Sequence, residues 1–90
     1  MLRTAVREAY YNGRIVVFIE PIALYMTKDL FSAKDGKWAF QYPDLKEEIP
    51  IGEFKTYGNG KILTIITYGN GLYLSLQAQK EIEKQLKKKI

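Results

Sequence analysis

Residues 15–19 of the chain read IVVFI, and Glu20 and Pro21 follow them. These five residues are β-branched or aromatic and apolar without alternation, which is typical of a strand buried on both faces of a parallel sheet. Pro21 ends such a strand because it donates no hydrogen bond to a neighbour. A carboxylate directly after a buried strand is expected to be partly buried and paired. Glu20 is therefore predicted to form a structural ion pair or cap in preference to acting as a catalytic acid.

A helix is predicted before this run and a less regular segment after it. The helix is indicated by one apolar stripe at helical spacing, formed by Leu2, Ala5, Val6, Ala9 and Tyr10. Asn12 and Gly13 end this helix, since both tolerate the left-handed conformation. After Pro21, residues 22–26 either begin a short helix or stay extended, and the sequence leaves both open.

The second half of the chain contains a duplicated pentapeptide, TYGNG, at residues 56–60 and again at 67–71. The first copy is predicted to be a turn between a strand at 53–57 and a strand at 62–67. The second copy ends that strand and opens a helix. In this helix, apolar residues recur at every fourth position, namely Leu74, Ala78, Ile82, Leu86 and Ile90.

Together these elements predict a small α/β fold made of helix–strand, a long linker, and strands–helix. Each end of the chain would form only part of a three-layer α/β unit. Because such strands lack parallel neighbours within the chain, they would leave unpaired edges and exposed apolar faces. We therefore expect a homo-oligomer, or docking onto other subunits, to complete the fold.

The residue inventory narrows the chemistry that this chain can perform. It has 90 residues with neither Cys nor His, so a thiolate nucleophile, a sulfur-ligated metal and a histidine base are all missing. Carboxylates, Lys, Tyr and Ser remain, so an enzyme is disfavoured and not excluded. The longest apolar run is too short to cross a membrane, and the first residues carry charges and no signal-peptide core. We expect a cytoplasmic protein.

Several polar features have an ordinary structural interpretation. The net charge of +4 is concentrated in the lysines of residues 80–89, which suit a solvated helix end better than a nucleic-acid patch. The glycines at 69 and 71 match neither the dinucleotide nor the P-loop motif, so a tight connection is favoured. Asp29 and Asp35 lack metal-loop spacing and are predicted to be solvated charges. Tyrosines such as Tyr25 are predicted to be core edges or interface anchors.

Taken in order, four stretches resemble one enzyme family. Residues 14–25, RIVVFIEPIALY, resemble a stretch of the beta subunits of thiamine diphosphate-dependent 2-oxoacid dehydrogenases that reads VVVFLEPIALY. Residues 1–7 resemble the helix before it, and residues 49–53, IPIGE, resemble the segment after the interdomain linker. Residues 62–71, ILTIITYGNG, resemble the opening of the transketolase-like C-terminal domain. The resemblance runs in order over nearly the whole chain.

The resemblance implies a fragment of such a beta subunit. Residues 1–26 would be the end of the pyrimidine-binding domain, 27–52 the interdomain linker, and 53–90 the start of the C-terminal domain. The glutamate that activates the cofactor, the catalytic histidine region and the Gly-Asp-Gly motif have no counterpart here. The full enzyme would use thiamine diphosphate and magnesium to decarboxylate a 2-oxoacid and acylate lipoamide. This chain alone would bind neither and would be inactive.

The family also implies a cation site and a set of partners. Some members bind a structural potassium ion partly through backbone carbonyls of the helix before the strand, and these positions would correspond to Ala5, Val6 and Glu8. Glu20 and Tyr25 would serve structure or interface. The expected partners are further copies of the chain or the remaining dehydrogenase subunits. The alternatives are a non-enzymatic oligomerising module and, with less support, a small basic nucleic-acid-binding protein.

Overall fold

The computed structural model describes residues 1–89, and in these residues it contains helices and no strand. Helix α1 spans Leu2–Asn12 and helix α2 spans Asn70–Leu86, with a short 3-10 helix at Ile22–Leu24 between them. The predicted α/β fold is therefore wrong. Within the same residues, neither helix is long and apolar enough to cross a membrane.

The predicted strands at 15–19, 53–57 and 62–67 have no regular secondary structure. A strand is stable only when its N–H and C=O groups pair with those of a neighbour, and an apolar sequence does not supply that neighbour. Residues 15–19, here called the apolar run, are exposed: Ile15 keeps 98%, Val17 80% and Ile19 83% of its accessible surface. An apolar composition therefore does not by itself bury these residues.

The chain divides into two compact units, each built from two separate stretches. The first unit combines Met1–Glu20 with Gln41–Tyr57, and the second combines Pro21–Phe40 with the chain from Gly58 onward. The family resemblance implies a different division, into residues 1–26, 27–52 and 53–90. That division refers to the domains of a larger parent enzyme, and it stays a prediction.

In the first unit, the amino-terminal half of α1 holds the segment at 43–49. The Arg3 guanidinium donates hydrogen bonds to the carbonyls of Pro43 (3.2 Å), Asp44 and Glu47 (2.9 Å). Further contacts follow along the helix, from the Thr4 hydroxyl to the Ile49 carbonyl at 2.6 Å and between Arg7 and the Glu48 carboxylate at 2.7 Å. Polar side chains of α1 therefore hold the segment at 43–49 against the helix within this unit.

Helix α1 ends where the sequence predicts. Gly13 adopts the left-handed conformation (φ 61°), and its N–H donates to the carbonyl of Glu8. The N–H of Arg14 reaches the same carbonyl at 3.3 Å, which is the arrangement that satisfies the last carbonyls of a helix. The helix prediction for the first segment is confirmed.

In the second unit, α2 begins at the second copy of the pentapeptide, as predicted. Gly69 is the N-cap residue, and the N–H of Gly71 donates to the carbonyl of Tyr68 at 3.0 Å. A Cβ atom on Gly71 would overlap the hydroxyl of Thr67, so a larger residue at this position would force the Thr67 side chain to move. The choice left open for residues 22–26 is resolved in favour of a short 3-10 helix after Pro21.

Candidate functional site

In the second unit, one loop closes on itself and packs on α2. We call residues 28–38 the docked loop, because the N–H of Trp38 donates to the carbonyl of Lys28 at 2.8 Å. Its Leu30 keeps 7% of its accessible surface and is the one buried apolar side chain among residues 1–89. The core of this unit therefore lies at Leu30, where the docked loop contacts α2.

The Asp35 carboxylate organises the docked loop from within. It accepts the N–H groups of Leu30 (2.9 Å), Phe31 (2.8 Å), Ser32 (2.9 Å) and Lys37 (3.0 Å). Four backbone donors on one ionised acceptor are strong, charge-assisted hydrogen bonds. These backbone N–H groups lie in a loop and have no partner in a helix or sheet. The Asp35 side chain therefore supplies the hydrogen-bond acceptors that regular secondary structure would otherwise provide.

The Asp29 carboxylate also accepts backbone N–H groups of the docked loop. It accepts the N–H of Lys34 at 2.7 Å and the N–H of Gly36 at 2.8 Å. Both donor residues have positive φ, 64° for Lys34 and 59° for Gly36, so the chain turns sharply around this carboxylate. The sequence interpretation of Asp29 and Asp35 as solvated charges missed these roles. The signal that could have shown them is the tendency of Asp to bond nearby backbone amides.

Two side chains of α2 hold the docked loop by its carbonyls. The Tyr73 hydroxyl donates to the carbonyl of Asp29 at 3.0 Å, and the Gln77 amide donates to that of Leu30 at 2.6 Å. The Trp38 ring meets the Tyr73 ring edge to face, with centroids 5.0 Å apart and an angle of 81°. Positions 73 and 77 are one helical turn apart, so the loop lies along one side of α2.

A cationic surface borders the docked loop. The ammonium group of Lys80 lies 4.2 Å from the centroid of the Phe31 ring, and that of Lys37 lies 5.6 Å from it. Such contacts stabilise an exposed cation by about 0.5–1 kcal/mol. An open groove of about 490 Å³ adjoins this ring and is lined by Phe31, Gln77, Lys80, Glu81 and Lys84.

The hydrogen bonds to Asp35 give the docked loop a predictable pH dependence. The Lys37 N–H, joined by those of Leu30, Phe31 and Ser32, holds the pKa of the Asp35 carboxyl well below its usual range, although desolvation acts in the opposite direction. Because the pKa is lower in the folded loop, this stability is fully present above the ordinary value near 3.9 and is lost as the pH falls below it.

Trp38 is the only tryptophan, so its fluorescence reports on the docked loop. We expect its emission to be constant from neutral pH to about pH 4 and to move to longer wavelength on further acidification, reversibly. An emission change confined to the range between about pH 5 and 7, where Asp35 stays ionised in both states, would contradict this assignment.

Each unit exposes at least one apolar surface. One is the apolar run of the first unit. Another, here called the α2 stripe, comprises Leu74 (60% exposed), Ala78, Ile82 (39%) and Leu86 (60%). The spacing of four residues keeps its members on one side of the helix, a side different from the one that carries Tyr73 and Gln77. These four residues were predicted from the sequence as members of one stripe, and the structure leaves them exposed. The fifth predicted member, Ile90, lies outside the described residues.

The remaining predicted site residues are placed as follows. Ala5, Val6 and Glu8 lie in α1, where the carbonyls of the first two are hydrogen-bond acceptors of the helix. The Glu8 carbonyl already accepts two N–H groups, so a potassium ion there would have to replace them. Glu20, expected to be partly buried, is exposed, and Tyr25 is 60% exposed. Within residues 1–89, His, Cys, Asp and Glu form no cluster of three that could hold a metal.

Comparisons of the chain with protein-family models, with curated proteins and with solved structures found no match. The family resemblance described above, the potassium site at Ala5, Val6 and Glu8, and the interface roles of Glu20 and Tyr25 therefore stay predictions.

Proposed function

We propose that these 90 residues belong to the beta subunit of a thiamine diphosphate-dependent 2-oxoacid dehydrogenase and serve it by packing, without catalysis of their own. The observation that carries the proposal is the exposure of the apolar run, which lies inside one of the four stretches that resemble this family, residues 14–25. The proposal includes a cytoplasmic location, and it assigns thiamine diphosphate and magnesium to the complete enzyme.

The exposure of individual side chains supports a role in packing. In the first unit, Ile15 keeps 98%, Val17 80% and Ile19 83% of its accessible surface. Contact with another chain can cover these side chains.

The character of the exposed side chains supports the same role. Branched aliphatic side chains such as Ile15, Val17 and Ile19 gain about 1.5–3 kcal/mol each when they are fully buried. Contiguous exposed apolar residues mark interaction surfaces more often than scattered ones do. In the complete enzyme, the cofactor would supply the electron sink for decarboxylation, and the residues of this chain would contribute contacts that hold the subunit together.

The proposal is tested by mixing the chain with the purified alpha subunit of a pyruvate dehydrogenase of this family and following complex formation by sedimentation velocity. We expect a complex with the native chain and at least a tenfold weaker one with Val17→Asp, because a charge would have to be buried at the contact. Val17 is 80% exposed, so this substitution leaves the isolated unit folded.

Gln41→Asp is the matched control, since Gln41 is exposed in the same unit and the substitution adds the same charge. We expect it to bind as the native chain does. A titration with thiamine diphosphate and magnesium should show no binding to the chain alone. The proposal fails if no complex forms, if both variants bind equally well, or if the isolated chain binds the cofactor tightly.

The α2 stripe favours a second candidate, a non-enzymatic oligomerising module. Rows of side chains four residues apart form the ridges that interlock when two helices cross, so two copies could pair through Leu74, Ala78, Ile82 and Leu86. Sedimentation of the chain alone separates the two candidates. A sedimentation coefficient that rises with concentration, and no longer does so with Ile82→Asp, would favour the module over the dehydrogenase.

A further inference from the structure

The two copies of the TYGNG pentapeptide contain the same Asn-Gly dipeptide, at Asn59 and at Asn70. Asparagine before glycine is chemically labile, because glycine has no Cβ atom to hinder attack of its nitrogen on the asparagine side chain. The reaction needs a backbone nitrogen that is free to move toward the side-chain amide carbon. The two copies have the same local sequence and differ in their structure. A difference between their reaction rates would therefore be caused by the structure.

In the second copy, the reacting nitrogen is restrained. Asn70 is the first residue of α2, and the N–H of Gly71 donates to the carbonyl of Tyr68 at 3.0 Å. The next N–H, that of Leu72, donates to the carbonyl of Gly69 at 3.1 Å. To react, Gly71 must break its hydrogen bond and the first turn of the helix must open.

In the first copy, the reacting nitrogen is free. Residues 58–60 have no regular secondary structure, and Gly58 has a φ of 77°. Within the described part of the chain, the N–H of Gly60 donates no hydrogen bond. Asn59 is exposed and lines an open cavity of about 170 Å³ together with Gln79, Glu83 and Lys89. Water reaches this position without any opening of the structure.

A third Asn-Gly dipeptide, at residues 12 and 13, resembles the protected copy. The N–H of Gly13 caps α1 by donating to the carbonyl of Glu8. The Asn12 side-chain amide donates to the Glu8 carboxylate at 3.1 Å. Both groups that would react are thus held by the end of the helix.

We propose that Asn59 is a site of spontaneous deamidation and that the fold protects the same dipeptide at Asn70 and Asn12. The Gly60 nitrogen gives its proton to hydroxide and bonds to the side-chain carbon of Asn59. The bond from that carbon to Nδ2 breaks, and Nδ2 takes a proton from water and leaves as ammonia, which regenerates the hydroxide. Water then opens the cyclic imide at either carbonyl, which gives aspartate or isoaspartate. The product carboxylate joins Glu83 and Lys89 at the cavity and lowers the formal net charge of +4 by one.

The test is incubation of the full chain in native buffer and, in parallel, in concentrated urea, followed by proteolysis and mass spectrometry of the peptides that contain Asn59 and Asn70. In native buffer we expect Asn59 to deamidate at least about tenfold faster than Asn70, because the helix turn must open first. In urea both copies lose their structure, and we expect similar rates.

Gly60→Ala supplies a second measurement that does not depend on the helix. The added methyl group hinders the attacking nitrogen, so deamidation at Asn59 should slow at least several-fold while Asn70 is unchanged. The proposal is overturned if Asn70 reacts as fast as Asn59 in native buffer. It is equally overturned if the difference persists in urea, or if Gly60→Ala leaves the rate at Asn59 unchanged.

Discussion

Replacing Leu30 by alanine is expected to lower the free energy of unfolding of the second unit by about 2–5 kcal/mol. Leu30 is the one buried apolar side chain among residues 1–89, and its backbone is held by both Gln77 and Asp35. The loss combines the transfer free energy of the side chain with the cavity that it leaves. Because a domain this small has little stability to spare, we expect much of the second unit to be unfolded at room temperature.

Leu74→Ala is the matched control for this prediction. It removes the same atoms from the same unit, at a residue that is 60% exposed, so the free energy of unfolding should change by less than about 0.5 kcal/mol. Urea unfolding followed by Trp38 fluorescence measures both variants. If the two substitutions cost the same, Leu30 is not the centre of the core.

Replacing Asp35 by alanine is expected to open the docked loop at neutral pH. Four backbone N–H groups would lose their acceptor at once, and none of them has a secondary-structure partner to take its place. We expect the Trp38 emission to move to the wavelength of an exposed tryptophan and the amides of residues 30–32 to exchange rapidly with solvent. Nuclear magnetic resonance of the backbone amides measures the second effect directly.

Asp44→Ala provides the comparison for Asp35. Among residues 1–89, the Asp44 carboxylate accepts only the N–H of Lys46, at 3.0 Å, and it belongs to the first unit. Its removal should leave the Trp38 emission and the exchange of residues 30–32 unchanged. Equal effects of the two substitutions would show that the loss of a negative charge, and not the loss of four hydrogen bonds, causes the change.

Local signals in the sequence predicted the helices well. The stop at Asn12 and Gly13 is a property of two residues that tolerate positive φ, and the structure ends α1 there. The Gly-rich second copy of the pentapeptide opens α2 as predicted. Both features depend on neighbours along the chain, which the sequence contains.

The remaining predictions depended on neighbours in space. The apolar run has the composition of a buried strand, but a strand needs a second strand beside it, and the described chain provides none. The roles of Asp29 and Asp35 arise when residues up to seven positions apart turn back around a carboxylate. No periodicity reveals that closure. The sequence therefore predicted where apolar side chains occur and not whether they are covered.

The most direct test of this account is hydrogen–deuterium exchange of the isolated chain, read segment by segment. We predict slow exchange for the amides of α2 near Tyr73 and Gln77 and for residues 30–32 of the docked loop, and rapid exchange throughout 15–19 and 62–67. Adding the dehydrogenase alpha subunit should then slow the exchange of the apolar run alone. Slow exchange at 15–19 in the isolated chain would contradict the account, because it would show that this run is already covered without a partner.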